Sequence, residues 1–539
     1  MARPARAFHA LCLTAILLGA PPIDAQISEA LRARLEHAAA LALEPTNGNP
    51  HSDIRDRLVA PELTMKIYQQ RDFEPIWARG RQLDLIALVE QAWTHGLNDE
   101  DYGLTRLRGL AAHLPTDLAA RADVDLAFTD AFVRYTHDLR YGKLDAPSPE
   151  RNARHDRTHS DMASLLDSLI EAPDLTTRTE RSLGHGFLYE NLRGWLVRYR
   201  IFADKGGWSP VSASRSLRLG DSDPQVDQVR QRLIAEGFAV ANAGRLYFDA
   251  DLEGAVRDFQ ARYGLLRDGV VGHRTIAAMN VPAETRIDQI RVNLERLRWV
   301  TQSWEERLVA VNVAGYRVYY IEGNAVRWSA RAVVGRPYRQ TPAFRSDLTY
   351  LVLNPDWTVP PTILHNDVLP AIRNDRGYLN ARQMDVVDYT GRRIDPTTID
   401  WSLYPAQRFP YYIRQRPGAM NELGRIKFVF PNDHLVFLHD TPARNLFEAS
   451  ERVFSSGCIR VERPLELAAL LLDAPHWDTQ TIDAEVAKGE TRTLLLDKPV
   501  PIVIVYLTAI APAANDFNLF ADIYERDGAL LAGLDRSVE

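Results

Sequence analysis

The sequence predicts a multidomain α+β protein, and three observations carry that reading. From about residue 27 to 205 the apolar residues recur at helical steps. Residues 216–280 form a short, glycine-punctuated unit with helical periodicity of its own. From about 305 to 535 the texture changes to alternation and β-branched runs, the signature of a mixed β-rich domain. At 539 residues and 46% hydrophobic content, the chain can build several cores.

The first 25 residues read as a secretory signal. Arg3 and Arg6 precede an apolar run from Ala10 to Ala20, and Ile23-Asp24-Ala25 supplies a small-residue cleavage site. That run is too short to span a bilayer. Val500–Ile510, the longest apolar stretch elsewhere, is interrupted by Pro501 and reads as a buried strand. The expectation is an exported, periplasmic protein whose mature chain has no integral membrane segment.

Residues 27–205 are expected to form one helical scaffold. Val124, Phe128, Phe132, Tyr135 and Leu139 place an apolar stripe on a long helix that Gly142 ends. Residues 81–95 repeat the pattern before Gly96. In 216–280, Val226, Val229 and Leu233 share one helix face, and Leu252, Val256, Phe259 and Tyr263 share another. The turns Gly264-Leu265, Asp268-Gly269 and Val271-Gly272 lead to a last helix from Thr275. This stretch resembles the peptidoglycan-binding module found beside many wall enzymes, and a plain structural spacer is the alternative. In 305–535, strands are expected at 308–313, 316–321, 350–353, 426–430, 436–438 and 500–506, with a helical pattern near 523–534. An insertion at about 361–412, rich in Asp, Arg, Tyr and Pro, is too long for an ordinary connection and reads as a functional flap or a disordered segment.

Composition narrows the function. The formal charge is −7, and removing Arg3, Arg6 and Asp24 with the signal takes it to −8. A mildly acidic chain without a basic tract excludes nucleic acid as an expected partner. No Cys/His cluster at ligand spacing is visible, so neither metal nor cofactor is expected. The sequence has two cysteines, and Cys12 lies in the signal. Cys458 is then left without an internal partner and reads as a free reactive thiol.

Cys458 lies nineteen positions after His439, in Ser455-Ser456-Gly457-Cys458-Ile459-Arg460. A thiol is mostly protonated at neutral pH, and an imidazole that takes its proton gives a nucleophilic ion pair. His439 is the candidate base. Gly457 allows a sharp turn that can gather backbone N–H groups into an oxyanion hole. Arg460 falls on the same side as Cys458 if the chain is extended, where it can meet a substrate carboxylate or hold the Ser455 loop.

His439-Asp440-Thr441-Pro442 followed by Ser455-Ser456-Gly457-Cys458-Ile459-Arg460 resembles the signature of the L,D-transpeptidases, the cysteine enzymes that cross-link peptidoglycan stems. Val334–Pro342, Asn354–Pro360 (with Trp357), Pro417-Gly418, Asn421, Leu423-Gly424 and Lys427-Phe428 extend the likeness. It is closest to large, scaffolded Gram-negative members with a capping insertion. Many relatives have histidine where this chain has Ser456. The resemblance implies that Cys458 attacks the third stem residue with His439 as general acid/base. Gly457, Ser455 and Ser456 would shape the nucleophile loop, and Arg460, Asp440, Thr441, Lys427 and Trp357 would line the substrate side. D-Alanine would leave, and a second stem's amine would take the acyl group to give a 3→3 cross-link. Stem peptides and glycan strands are the implied partners, and carbapenems the implied thiol acylators. Transfer to water, as in an L,D-carboxypeptidase or endopeptidase, and a non-catalytic wall-binding scaffold remain the alternatives.

Overall fold

The computed structural model describes residues 22–42, 61–145, 159–212, 214–241, 243–301, 305–323, 325–402 and 409–537. Most of the expected signal lies outside them. Helix α1, Ile23–Ala42, begins within its last three residues. Among the described residues, no helix is long and apolar enough to cross a membrane.

The chain divides into two compact units. One unit holds residues 1–90, 102–136 and 157–179; the other holds 91–101, 137–156 and 180–539. In the first, α1 packs with α2 (Pro61–Gln69), and α3 (Arg79–Val89) with α4 (Leu104–Ala112). The long helix α5, Leu118–Tyr141, carries the expected stripe, with Phe128, Phe132, Tyr135 and Leu139 fully buried. Two more helices follow, α6 (His159–Ile170) and α7 (Leu175–Leu183). Asp125 accepts from Tyr68 Oη at 2.5 Å and from the amides of Ile76 and Trp77, so this buried carboxylate is fully satisfied.

The second unit begins its continuous run with α8, Gly186–Asp204. Its buried face (Leu188, Leu192, Trp195, Leu196, Tyr199) joins the core of this unit. That core also contains Val226, Val229 and Leu233 of α9 (Pro224–Ala235), and Leu252, Val256 and Phe259 of α10 (Ala250–Arg262). Leu217, Val271 and Met279, the last from α11 (His273–Met279), complete its small three-helix part. Ile290, Leu294 and Leu297 of α12, Ala283–Thr301, bridge this part to the sheet.

The β-rich domain is built on strands β1 (Arg307–Asn312), β2 (Arg317–Glu322), β3 (Ala325–Gly335) and β4 (Phe344–Leu353). Next come β5 (Trp357–Thr358), β6 (Met384–Val387), β7 (Arg393–Ile394) and β8 (Tyr412–Gln415). The remaining strands are β9 (Ile426–Val429), β10 (Leu438–His439), β11 (Val453–Ser455), β12 (Ile459–Val461), β13 (Arg492–Val505), β14 (Ala509–Ala513) and β15 (Asp516–Leu519). The main sheet runs β11-β3-β12-β10-β9-β4-β13-β1-β2, and β2 also pairs with β3. That pairing closes a mixed barrel, which removes the exposed edges of an open sheet. Alternation along β1 explains how both faces are buried. Val309 and Val311 enter the barrel core, and Leu308 and Ala310 enter the core shared with α8 and α12.

The 361–412 insertion is a folded subdomain among its described residues. Strands β5-β8-β6-β7 form their own sheet, so it reaches outward to 357 and 415. Leu364, Leu369, Ile372, Met384, Val386, Trp401 and Ile413 supply its core.

Candidate active site

Strand register brings the candidate residues together. His439 on β10 pairs with Lys427 on β9 and with Arg460 on β12. Directly paired side chains project to the same sheet face, so Lys427, His439 and Arg460 form one row. Their neighbours Phe428, Leu438 and Ile459 alternate into the barrel core. Cys458 precedes Arg460 by two positions and lies on the row's side of the strand. Lys427 and Arg460 are the cations that act on both the thiol and the imidazole.

Cys458 is a half-buried free thiol. Its Sγ lies 3.8 Å from the Leu435 carbonyl. Leu435 holds a left-handed backbone, φ 56°, in a loop stapled by Asn432. The Asn432 side chain binds the Phe430 and Val436 carbonyls and the His434 and Val436 amides. Strain of this kind in a leucine persists only where surrounding bonds enforce it. Sequence reading missed this loop, although an Asn between two apolar runs is a turn signal.

His439 is buried, and its Nδ1 donates to the Asp440 carbonyl at 2.5 Å. That carbonyl is the orienting partner sequence could not locate. It fixes the tautomer, leaving the lone pair on Nε2. Burial pushes the imidazole pKa down to about 3, with Arg460 and Lys427 adding to the shift and the Asp440 bond opposing it. Burial also pushes the Cys458 thiol up, against a backbone hydrogen bond at Phe437 and the charges of Lys427 and Arg460. Desolvation thus disfavours the charged forms of both groups, while Lys427 and Arg460 favour a thiolate and disfavour an imidazolium.

The nucleophile loop is tightly tied. Ser455 Oγ donates to the Cys458 carbonyl at 2.6 Å and accepts from the Gly457 amide at 3.1 Å. Gly457 has φ 116°, which a side chain would strain. Its amide is engaged within the loop, so its contribution is the turn rather than an oxyanion donor. Thr341 Oγ1 donates to the Gly457 carbonyl at 2.8 Å and accepts from the Gly335 amide at 2.9 Å. Ser456 is exposed, and its Oγ accepts from Arg339 Nη1 at 2.9 Å. The same nitrogen donates to Asp367 in the insertion at 2.7 Å.

The other expected substrate residues separate into two groups. Lys427 is half-buried with its ammonium 3.7 Å from the Phe437 ring centroid, and burial lowers its pKa. Arg460 has a distant partner in Glu422, at 3.7 Å. Asp440 and Thr441 correct the expectation of substrate contact, since each is 1% exposed. Asp440 is clamped by Arg444 and by the Arg425 amide, and Thr441 Oγ1 accepts from the Ala443 amide at 3.2 Å. Trp357 packs on the core of the insertion.

Comparison with known families gives this geometry a context. Residues 306–502 match the model described as "L,D-transpeptidase catalytic domain". That stretch is similar to an L,D-transpeptidase catalytic domain. Residues 62–196 match a "Scaffold domain", and 222–279 a "Putative peptidoglycan binding domain". A Haemophilus influenzae protein described as "Putative L,D-transpeptidase" is 33% identical over 245 residues, 45% of this chain and 49% of that protein. The chain thus spans about half the length of that curated relative. A crystal structure of an L,D-transpeptidase (residues 123–326) from Xylanimonas cellulosilytica is 15% identical, covering 55% of this chain and all of that one, with a TM-score of 0.19. A fused Zn-dependent amidase/peptidase/peptidoglycan-binding-domain protein from Clostridium acetobutylicum is 13% identical, covering 54% and 99%, with a TM-score of 0.15. Scores this low do not establish a shared arrangement. Lys427, His439, Cys458 and Arg460 all lie within the matched residues.

Proposed function

We propose that the protein is a periplasmic peptidoglycan L,D-transpeptidase that forms 3→3 cross-links through a thioester on Cys458. His439 Nε2 takes the thiol proton as Sγ attacks the carbonyl of the third stem residue. The imidazolium returns that proton to the departing D-alanine amine. A second stem's side-chain amine then attacks the thioester, losing its proton through His439, and the thiol is restored.

Lys427 and Arg460 carry the charge stabilisation. Both act on the developing thiolate, and Arg460 offers its guanidinium to a stem carboxylate. The Cys458 amide, aimed by the turn at Gly457, is assigned to the oxyanion. Ser455 holds the loop, and Ser456 meets the insertion through Arg339. The observation that carries this reading is the shared row of Lys427, His439 and Arg460 beside Cys458, inside a matched L,D-transpeptidase domain.

The test is incubation of the purified protein with tetrapeptide muropeptides, followed by mass analysis. Cross-linked dimers and a covalent adduct on Cys458 are expected. Tripeptides alone would make water the acceptor and the protein an L,D-carboxypeptidase.

A further inference from the structure

A second cleft, of about 910 Å³, shares none of the lining residues of the thiol site. The end of α10 and the loop to Arg267 form one wall. The β1–β2 turn, β3 and Arg452 form another, and the β14–β15 hairpin with Asn518 closes it. The small three-helix part and the barrel therefore contribute jointly to one recess within a single compact unit.

Its lining is mainly cationic, with Arg317, Arg331 and Arg452 set against the carboxylate of Asp516. Arg452 is half-buried, and its guanidinium donates to the carbonyls of Ala332, Ala449 and Tyr316, none of them a carboxylate. Burial, with Arg317 and Arg331 nearby, lowers its pKa to about 10. Arg317 is exposed, and among the described residues its side chain reaches Ser329 Oγ, at 3.5 Å. Most acidic groups around them are paired: Glu448 and Glu462 bind Arg331, and Glu451 binds Arg274. Asp516 keeps its charge in the lining, where it accepts from the Asn518 side-chain amide. Tyr316, at φ 51°, holds its ring 5.1 Å beneath the Arg452 guanidinium. An aromatic residue in the left-handed region is costly, and here it presents both ring and carbonyl to that arginine.

Two guanidinium groups with no carboxylate partner among the described residues face one recess and call for an anion, and their fork geometry suits a carboxylate. The recess also has apolar walls at Phe187, Leu265 and Val326 and is larger than a lone ion requires. We propose that this cleft is a second binding site, taking a carboxylate-bearing peptide such as a peptidoglycan stem. The identity of that peptide rests on the function proposed above. The site would hold a stem against the barrel while the thiol acts on another part of the wall.

The test uses the full chain carrying Cys458→Ala, titrated calorimetrically with a soluble tetrapeptide stem and with the same stem fully amidated. Adding Arg317→Glu is expected to weaken one class of stem binding at least tenfold, and the amidated stem is expected to lack that class. Arg452→Gln, checked for an unchanged melting profile, should do the same. Identical isotherms with and without Arg317→Glu, or equal binding of the amidated stem, would overturn the proposal. So would displacement of the stem by an equal concentration of succinate, which would make the cleft a small-anion site. Turnover of the parent enzyme on the same stem is measured separately, so failure of catalysis and failure of this site give different results.

Discussion

Cys458 and His439 start from protonation states that burial favours, and their chemistry follows from that. A thiol held above its ordinary pKa should react slowly at neutral pH. Alkylation of Cys458 by iodoacetamide is expected to rise steadily from about pH 6 to pH 9, following the thiolate fraction. A plateau already reached near pH 5 would show a preformed ion pair instead. Cys458→Ala should abolish carbapenem acylation, read by intact mass, while leaving the melting profile unchanged, because the substitution is small. His439→Ala should slow acylation roughly 10²-fold or more, since the base removed is the one that must take the thiol proton. The sequence exposed both residues through their spacing and the glycine between them. It could not expose the Asp440 carbonyl or the Leu435 strain, because backbone groups leave no residue-type signal. Asp440 and Thr441 were misread for a related reason: motif adjacency says nothing about which way a side chain turns.

The loops around the thiol work as a joined set. Gly335 ends β3 where a Cβ would meet the Arg339 carbonyl at 2.2 Å and the Thr341 amide at 2.7 Å. Backbone cannot yield as a side-chain tip can, so Gly335→Ala should cost roughly 1–3 kcal/mol, measurable by urea unfolding. Arg339 links the insertion, through Asp367, to Ser456 beside the nucleophile. Its ion pair with Asp367 is partly exposed, so Arg339→Ala should change stability by less than about 1 kcal/mol. Its expected effect is on product choice. The dimer-to-tripeptide ratio should fall as the insertion loses its hold on the loop, whereas an unchanged ratio would remove the insertion from acceptor selection. The sequence marked this segment as too long for a connection. Its fold was hidden because two-residue strands such as β5 and β7 carry too little periodicity to read.

Larger-scale packing makes the small three-helix module part of the second unit's core. Phe259, Val256 and Leu233 share one apolar cluster with Trp195, Tyr319 and Val503. Excising 216–280 should therefore expose that cluster and produce a marked loss of melting temperature, not a soluble enzyme lacking a spacer. Acid should also weaken this unit. His185 and His439 both have folded pKa values pushed to about 3, chiefly by burial. In the unfolded chain they take up protons near 6.5, so stability is retained above that pH and lost progressively between about 6.5 and 3. Urea unfolding across this range should show the decline, and replacing His185 by an apolar residue should flatten it.

Local pattern was enough to read the fold class, the apolar stripe of α5, the helical periodicity within 216–280 and the strands flanking the site, and to single out Cys458 and His439. Each of these is written in residue type and short spacing, where periodicity, turn chemistry and a lone thiol are directly visible. Folding in three dimensions assigned α8 to the core shared with the barrel, closed the barrel through β2 and β3, and folded the insertion. It also withdrew the thiol and imidazole from water and brought Arg317 and Arg452 to one cleft. Those outcomes depend on contacts between residues far apart in the chain and on the loss of water around them, which linear order does not record.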